Sequence, residues 1–387
     1  NQRMSDRRRV YADYNATAPL RDAVKGVVIE AMGLVGNPSA IHGEAVAARY
    51  AVEKARRMIA KAIAAPAPEC VVFTSGGSES NNFALKGIAA VPRENGRKPH
   101  FIVTAAEHKA VLDAARQLER LGRIELTIVG VDAEARVRAD DLRAALRGDT
   151  ALVSIILANN EVGSINSIRE LVKIVRENSS AIFHTDAVQA LGRIPVSVRD
   201  LNVDLMTVSA HKVGGPKGVG ALYIRDGVQL EPLISGGGQE SHLRAGTENI
   251  PAIVGFAHAV ALAVEEIPRE LARQVVLREM LWEELRETFP TAVRNTPITH
   301  SLPNTLNFSL PGRESRRMIA LLDEAGVACS AGSACTSNDP EPSHVLKAMG
   351  LAEEVVSSAI RLSFGPATTD DDIASVARAF QSLPQDS

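Results

Sequence analysis

Short apolar runs alternate with longer stretches of helical periodicity over the first two-thirds of the chain. The short runs are apolar throughout, which is typical of strands that are covered on both faces. Because helical stretches separate several of them, the pattern predicts a largely parallel sheet with helices on both sides. The expected strands span residues 70–74, 101–104, 126–131, 152–158, 181–185, 205–209 and 220–224, and the expected helices include residues 45–64, 79–90 and 110–121.

This alternation fades after about residue 262. A charged helical stretch over residues 264–288 follows, which we interpret as a spacer between two units. From residue 305 to residue 379 strands and helices mix in shorter pieces, which is typical of a smaller α+β domain. The sequence therefore predicts an α/β protein with a large domain over residues 16–262. A small domain is expected to combine residues 1–15 with residues 263–387.

Composition excludes several classes of protein. The net charge of −3 and the aromatic content of 4% give neither the basic field nor the stacking side chains of a nucleic-acid binder. No uninterrupted run of about 18 apolar residues indicates a membrane span. Cys70, Cys329 and Cys335 are too few for a disulfide framework, so the chain is expected to be cytoplasmic, in a reducing compartment. No metal site is assigned.

The first candidate site lies between an expected strand and an expected helix, at Gly76, Gly77 and Ser78. The two glycines let the backbone approach a ligand closely, and Ser78 is expected to cap the helix. The amides and dipole of the first turn then favour an anion such as phosphate. An ordinary tight turn with a capping serine explains the same residues, and the spacing matches neither the P-loop nor the dinucleotide pattern.

Two further candidates follow expected strands, where open α/β sheets bind their ligands. Asp186 ends one apolar run, and Lys212 follows the next one. Taken singly, Asp186 is explained by helix capping and Lys212 by solvent exposure. Together with a phosphate cup they are the parts of a pyridoxal 5'-phosphate (PLP) site, which needs a phosphate anchor, a carboxylate on the pyridine nitrogen and a lysine for the Schiff base.

Across almost its whole length the chain resembles the cysteine desulfurases, in the class V aminotransferase group of fold-type I PLP enzymes. Within this family the motif Ser333-Ala334-Cys335-Thr336-Ser337 resembles the cysteine-containing loop of the desulfurases of the nitrogen-fixation and iron–sulfur-cluster type. The motifs that carry the resemblance are Gly36-Asn37-Pro38-Ser39, Glu107-His108-Lys109, Asn159-Asn160-Glu161-Val162-Gly163, His184-Thr185-Asp186, Ser209-Ala210-His211-Lys212, Arg244-Ala245-Gly246-Thr247 and Gly332-Ser333-Ala334-Cys335-Thr336-Ser337.

The resemblance implies a role for each residue that matches a motif. Lys212 would form the Schiff base and Asp186 would pair with the pyridinium. His108 would stack on the ring and transfer protons near the substrate sulfur, while Asn160 and Gln189 would contact the ring hydroxyl. The residues that would hold the phosphate are Gly77, Ser78, Ser209 and His211, with Thr247 reaching the phosphate of a neighbouring subunit.

The substrate and the reaction also follow from the resemblance. Arg361 would grip the substrate carboxylate, aided by Asn160, although an arginine in a strand can equally form a structural ion pair. Cys329 and Cys335 share a stretch rich in Ser, Gly and Ala, and the residues alone do not choose between them. The family motif chooses Cys335, in the small domain, as the thiol that takes sulfur from L-cysteine and leaves L-alanine.

The expected partners are a second copy of the chain, with shared active sites, and a sulfur acceptor such as an iron–sulfur scaffold or a thiolation carrier. Two positions depart from the family pattern: Ser78 replaces Thr, and Pro340 stands where Leu is expected. The nearest enzymatic alternative is a class V transaminase or a β-eliminating lyase, neither of which needs Cys335. A non-catalytic sulfur carrier on the same scaffold is the alternative from another class.

Overall fold

The computed structural model describes residues 9–93, 96–331 and 342–384. Its strands are β1 (Val10–Tyr11), β2 (Val71–Thr74), β3 (His100–Thr104), β4 (Glu125–Val129), β5 (Thr150–Ser154), β6 (Ile182–Asp186), β7 (Leu205–Ser209), β8 (Gly220–Ile224), β9 (Val293–Arg294), β10 (Thr305–Ser309), β11 (Val327–Ala328) and β12 (Ala359–Ser363). Its α-helices are α1 (Asp22–Ala31), α2 (Gly43–Ala62), α3 (Gly77–Ala90), α4 (Lys109–Arg120), α5 (Ala139–Ala145), α6 (Ile168–Asn178), α7 (Val198–Leu201), α8 (Ile250–Thr288), α9 (Ser315–Glu324), α10 (His344–Ala348), α11 (Glu353–Ser357) and α12 (Asp370–Gln381). Short 3-10 turns cover Pro68–Cys70, Ala210–Lys212 and Gln239–His242.

A seven-stranded sheet forms the centre of the described chain, in the order β2-β8-β7-β6-β5-β3-β4. The strands from β7 to β4 pair in parallel, and only β8 runs antiparallel to its neighbours β2 and β7. Apolar side chains from both faces are buried under helices, as the uniformly apolar runs predict. The α/β fold class with a mainly parallel, helix-flanked sheet is thus confirmed.

The start of α3 differs from the expectation. The helix begins at Gly77, two residues before the expected residue 79, and Gly76 occupies the N-cap position with a φ of 151°. Ser78 is therefore not the N-cap, and that prediction is wrong. Glycine accepts this left-handed backbone without a Cβ penalty, so the helix can start before the first hydroxyl residue.

The long helix α8 also differs from the expectation of a spacer beginning near residue 264. Its side chains bury against α1 and α2 in its first half, and those after Pro268 join the core of the small sheet. The helix holds an apolar 18-residue window with a mean hydropathy of 1.6, long enough to cross a membrane by composition alone. More than half of that window is buried in the protein, which is typical of a core helix.

The N-terminal residues join the C-terminal part of the chain. Strand β1 pairs in parallel with β11, and Asp13 forms a bridge to Ser363 beside a three-stranded sheet in the order β12-β10-β9. A separate apolar cluster fills this region, from Val10 through Phe308 to Phe380. The domain limits at residues 15/16 and 262/263 stay predictions, and the second of them falls inside α8.

Candidate active site

A cavity of about 290 Å³ opens at the carboxyl ends of the parallel strands β5, β6 and β7. The predicted site residues that line it are Gly77, Ser78, His108, Asn160, Asp186, Gln189, Ser209, His211, Lys212 and Arg361. Thr247 is exposed and does not line it. Cys335 lies outside the described residues. One cavity therefore gathers ten positions that are spread over most of the chain.

One end of this cavity carries the hydrogen-bond donors that suit an anion. The first turn of α3 borders it through Gly77 and Ser78, so the free amides of a helix N-terminus face the space. A Cβ on Gly77 would lie 3.0 Å from Val188 Cγ2, so a larger residue would fit there only if the Val188 side chain moved. The Ser209 side chain is 2% exposed, and its Oγ has no hydrogen-bond partner among the described residues. A buried hydroxyl in this state is suited to donate a hydrogen bond to a ligand oxygen.

Asp186 stands at the end of β6 with both carboxylate oxygens fixed. Its Oδ2 accepts a hydrogen bond from Asn81 Nδ2 at 2.7 Å, and its Oδ1 accepts one from the Val188 amide at 2.9 Å. The side chain is buried and still borders the cavity. A carboxylate held this rigidly can orient a protonated ring nitrogen, which is the function the resemblance implies.

Lys212 follows β7 in the 3-10 turn Ala210–Lys212 and points back across the cavity. Its Nζ donates to the carbonyls of Asn15 at 2.5 Å and of Ala16 at 2.7 Å. These two carbonyls belong to the N-terminal segment, whose residues Asn15 and Ala16 also line the cavity. Lys212 is thus an oriented amine that borders a ligand cavity, and the alternative of a solvated loop lysine does not hold.

His108 is the N-cap of α4, and its ring is fixed by the backbone. Its Nδ1 accepts the Ala110 amide at 3.1 Å, so a neutral ring carries its proton on Nε2. The residue lines the cavity and is half-buried. An imidazole held through one nitrogen in this way presents the other nitrogen for proton transfer.

His211 contributes to the same cavity as a neutral imidazole. Burial and, to a smaller extent, the positive charges of Lys212, Lys217 and Arg193 together lower the pKa of His211 to about 4. Its Nδ1 lies 3.2 Å from Thr17 Oγ1. At neutral pH the ring can therefore offer a phosphate a hydrogen bond but no positive charge.

Arg361 projects from β12 and is 1% exposed. Its Nη2 donates to Asp13 Oδ1 at 2.9 Å, and its Nη1 donates to the Asn160 carbonyl at 3.0 Å. Asp13 also accepts a hydrogen bond through Oδ2 from Ser330 Oγ at 2.8 Å. The ion pair that sequence reasoning left open therefore exists, and it orients a guanidinium that also borders the cavity.

Several residues of the site were missed by the sequence analysis. Asn15 accepts hydrogen bonds through its backbone carbonyl from Lys212 Nζ and from Gln189 Nε2, the latter at 2.9 Å. Arg193 donates to Gln189 Oε1, so the Gln189 amide is held from both sides. Burial lowers the pKa of Arg193 to about 9. Asn15 lies in a turn 197 positions before Lys212, and Arg193 lies in a stretch whose sequence is typical of a surface loop. No local sequence pattern therefore identifies either residue as part of the site.

His184 lies on β6 two residues before Asp186 and is fully buried. Its Nδ1 is 2.8 Å from Ser154 Oγ and its Nε2 is 3.0 Å from Thr207 Oγ1. Burial lowers the pKa of His184 to about 3. The folded protein therefore keeps this buried imidazole neutral, whereas in the unfolded chain the same side chain binds a proton below its ordinary pKa of 6.5.

We expect this histidine to make the folded state less stable as the pH falls from 6.5 toward 3. As the pH falls from 6.5 to about 5, the free energy of unfolding of the wild-type protein should decrease by about 2 kcal/mol more than that of a His184→Gln variant. Urea titrations at each pH measure this difference. Burial raises the pKa of Glu107 to about 8, so this carboxyl group makes the folded state more stable as the pH falls. Because Glu107 is present in both proteins, its contribution cancels in the difference between their free energies of unfolding. Parallel pH dependences for the two proteins would contradict the expectation.

The residues of the cavity fit PLP. The helix N-terminus and the unpartnered Ser209 Oγ match a phosphate, the Asp186 carboxylate matches a pyridinium, and the Lys212 amine matches an aldehyde. No group of His, Cys, Asp and Glu side chains among the described residues is arranged for a metal ion.

Comparisons with known proteins agree with this chemistry. The family model "Aminotransferase class-V" matches residues 10–376. The cysteine desulfurase IscS of Dictyoglomus turgidum is 47% identical over 95% of this chain and 92% of its own length. A solved structure titled as a NifS-like protein has a TM-score of 0.91 and 38% identity, covering 97% of this chain and 98% of its own. A solved structure titled as SspA in complex with cysteine has a TM-score of 0.80 and 36% identity, covering 93% of this chain and 99% of its own.

The fold, the cavity and the family model define a PLP-dependent enzyme of the class-V aminotransferase family, to which the chain belongs. Within that family it belongs to the cysteine desulfurases. The predicted family, fold type, enzyme class and cofactor are therefore confirmed. The roles of individual residues stay predictions.

Proposed function

We propose that the enzyme converts L-cysteine to L-alanine and keeps the sulfur as a persulfide on Cys335. In the balanced reaction the Cys335 thiol and the substrate thiol give alanine and a Cys335 persulfide. The substrate carbon–sulfur bond breaks, a sulfur–sulfur bond forms, and the hydrogen count is unchanged. The observation that carries the proposal is the convergence of Lys212, Asp186 and Arg361 on one cavity beside His108.

Each of these side chains has a part in the reaction. Arg361, held by Asp13, binds the substrate carboxylate and sets the orientation of Cα. The Lys212 amine removes the proton from Cα and later returns one. When bound, PLP supplies the electron sink for the charge that develops at Cα. His108 Nε2 moves a proton at the substrate sulfur, and Asp186 keeps the pyridine nitrogen protonated.

The assignment of the sulfur-carrying thiol is supported by the other two cysteines. Burial and, to a smaller extent, the negative charge of Asp13 together raise the pKa of Cys329 to about 12. Burial also raises the pKa of Cys70, which is packed in the large core. Since the thiolate is the nucleophile, neither of these cysteines is suited to attack a substrate sulfur at neutral pH. Cys335 remains as the candidate that the family motif names.

The proposed partners follow from the same reaction. The persulfide is transferred to an acceptor protein, either an iron–sulfur scaffold or a thiolation carrier, and the name of the IscS relative favours sulfur mobilisation of this kind. We propose a homodimer in which Thr247 reaches the phosphate site of the partner subunit, since this exposed residue lies outside its own cavity. A reducing cytoplasm would keep the thiols free.

An assay without a keto acid tests the proposed function. Purified enzyme given L-cysteine, PLP and a thiol reductant is expected to form alanine and sulfide in equal amounts. A transaminase requires an amino acceptor, and a β-eliminating lyase yields pyruvate in place of alanine. Chromatography of the products distinguishes the three activities. Pyruvate as the main product, or a strict requirement for a keto acid, would contradict the proposal.

A further inference from the structure

Residues 239–247, which we call the bracketing segment, are held against α2 by a buried ion pair and against β2 by a hydrogen bond. Arg56 Nη1 and Nη2 donate to the two oxygens of Glu240 at 2.7 and 2.8 Å. The same carboxylate accepts the Phe73 amide at 2.8 Å. Glu240 is therefore attached to the strand that leads into the turn before α3, the turn that borders the anion end of the cavity.

A second ion pair attaches the bracketing segment to the other side of that turn. Arg244 Nε and Nη2 donate to Glu79 Oε1 and Oε2 at 2.9 and 3.2 Å. Glu79 lies in the first turn of α3, beside the cavity-lining Ser78, and its Oε2 also accepts the Ser75 amide at 2.8 Å. Glu240 thus holds the strand before the turn of residues 75–78 through the Phe73 amide, and Arg244 holds the helix after it through Glu79.

The bracketing segment adopts a backbone conformation that needs such support. Glu240, Ser241 and His242 have φ angles of 48°, 55° and 67°, all in the left-handed region that disfavours residues with a Cβ. Three consecutive residues in this conformation persist only where the surrounding contacts determine it. The two ion pairs provide those contacts.

Glu79 also presents an electrostatic problem to the anion site. Burial raises the pKa of Glu79, but the hydrogen bonds from Arg244 and from the Ser75 amide outweigh burial and lower it, so the carboxylate is ionised. A negative charge in the first turn of a helix suits the helix dipole. The same negative charge repels a phosphate bound at that helix terminus, unless a nearby cation compensates the charge.

We propose that Arg244 is a positioning residue for the cofactor phosphate, which it serves through Glu79 without touching the phosphate. Pairing with Arg244 neutralises the Glu79 carboxylate and fixes the turn whose amides face the anion. The inference rests on the proposed placement of the PLP phosphate at Gly77 and Ser78. It adds Arg244 and Glu79 to the residues that determine cofactor affinity.

The test compares PLP with pyridoxal, which has the same ring and aldehyde but no phosphate. The protein is stripped of cofactor, and each compound is titrated by absorbance at about 400 nm. Arg244→Gln is expected to weaken PLP binding about tenfold and to change pyridoxal binding less than about twofold. The double variant Glu79→Gln/Arg244→Gln, in which the uncompensated charge is gone, should return PLP binding to within about threefold of the wild-type protein.

A matched control separates this effect from a general loss of stability. Arg294 pairs with Glu279 through both Nη atoms at 2.6 and 2.8 Å, and neither residue lines the cavity. Arg294→Gln should therefore lower thermal stability and leave the ratio of PLP to pyridoxal affinity unchanged. An unchanged ratio in Arg244→Gln, or a double variant as weak as the single one, would overturn the proposal. A wild-type protein that binds both compounds equally would instead refute the phosphate site itself.

Discussion

Replacing Lys212 by alanine is expected to abolish desulfuration, with turnover reduced by about a thousandfold or more. The structure explains why no other group can substitute. The Lys212 amine is held by the Asn15 and Ala16 carbonyls at the edge of the cavity, where it can both bond the cofactor and exchange a proton with Cα. Removing it takes away the covalent anchor and the base together, while the walls of the cavity remain.

Borohydride reduction followed by peptide mass spectrometry checks this prediction without relying on activity. In the wild-type protein the reduced cofactor should be attached to the peptide that contains Lys212, and in Lys212→Ala no lysine should carry it. Lys217→Ala is the matched control, because this lysine lies five positions away and is exposed. Normal turnover by Lys212→Ala, or cofactor attached to Lys217 in the wild-type protein, would refute the assignment.

The second large effect is expected from Cys335→Ala. Without this thiol the substrate sulfur has no nucleophile to receive it, so alanine formation should fall at least about a hundredfold. The absorbance of bound PLP should persist, because Lys212 and the residues proposed to hold the phosphate are unchanged in this variant. In the wild-type protein a brief exposure to L-cysteine should add about 32 Da, one sulfur atom, to the peptide that contains Cys335.

Cys329→Ala is the control for this experiment. Cys329 packs against the core of the small sheet, and burial raises the pKa of its thiol, so its loss should leave sulfur transfer close to the wild-type rate. If the added sulfur is found on Cys329, or if Cys335→Ala forms alanine at the normal rate, the assignment of the nucleophile is wrong.

The central sheet could be predicted because its strands are buried on both faces. A strand in that position must be apolar along its whole length, and the expected strand over residues 205–209 matches β7 at both ends. Helix starts were harder to place. At α3 the backbone freedom of Gly76 determined the boundary, and a rule that looks for a capping hydroxyl selects Ser78 instead.

Local sequence patterns predicted site residues where a polar or charged side chain directly follows an apolar strand. Asp186 and Lys212 are marked in this way, because parallel strands bring their carboxyl ends to one edge of the sheet. The groups that orient them are not marked. Asp13 meets Arg361 across 348 positions of sequence, and Asn15 meets Lys212 across 197. Contacts of that range depend on the assembled fold and leave no local pattern in the sequence.

The pairing of β1 with β11 has a consequence for the order of folding during synthesis. Val10 is made early, and its partner Val327 emerges more than three hundred residues later. At the usual rate of translation the first strand therefore waits on the order of tens of seconds for its partner. The carbonyls that orient Lys212 and the carboxylate that orients Arg361 belong to the same early segment. The strands of the large sheet, which end at Ile224, are synthesised before Arg361, so the catalytic centre can be completed only after the segment that contains Arg361 has been made.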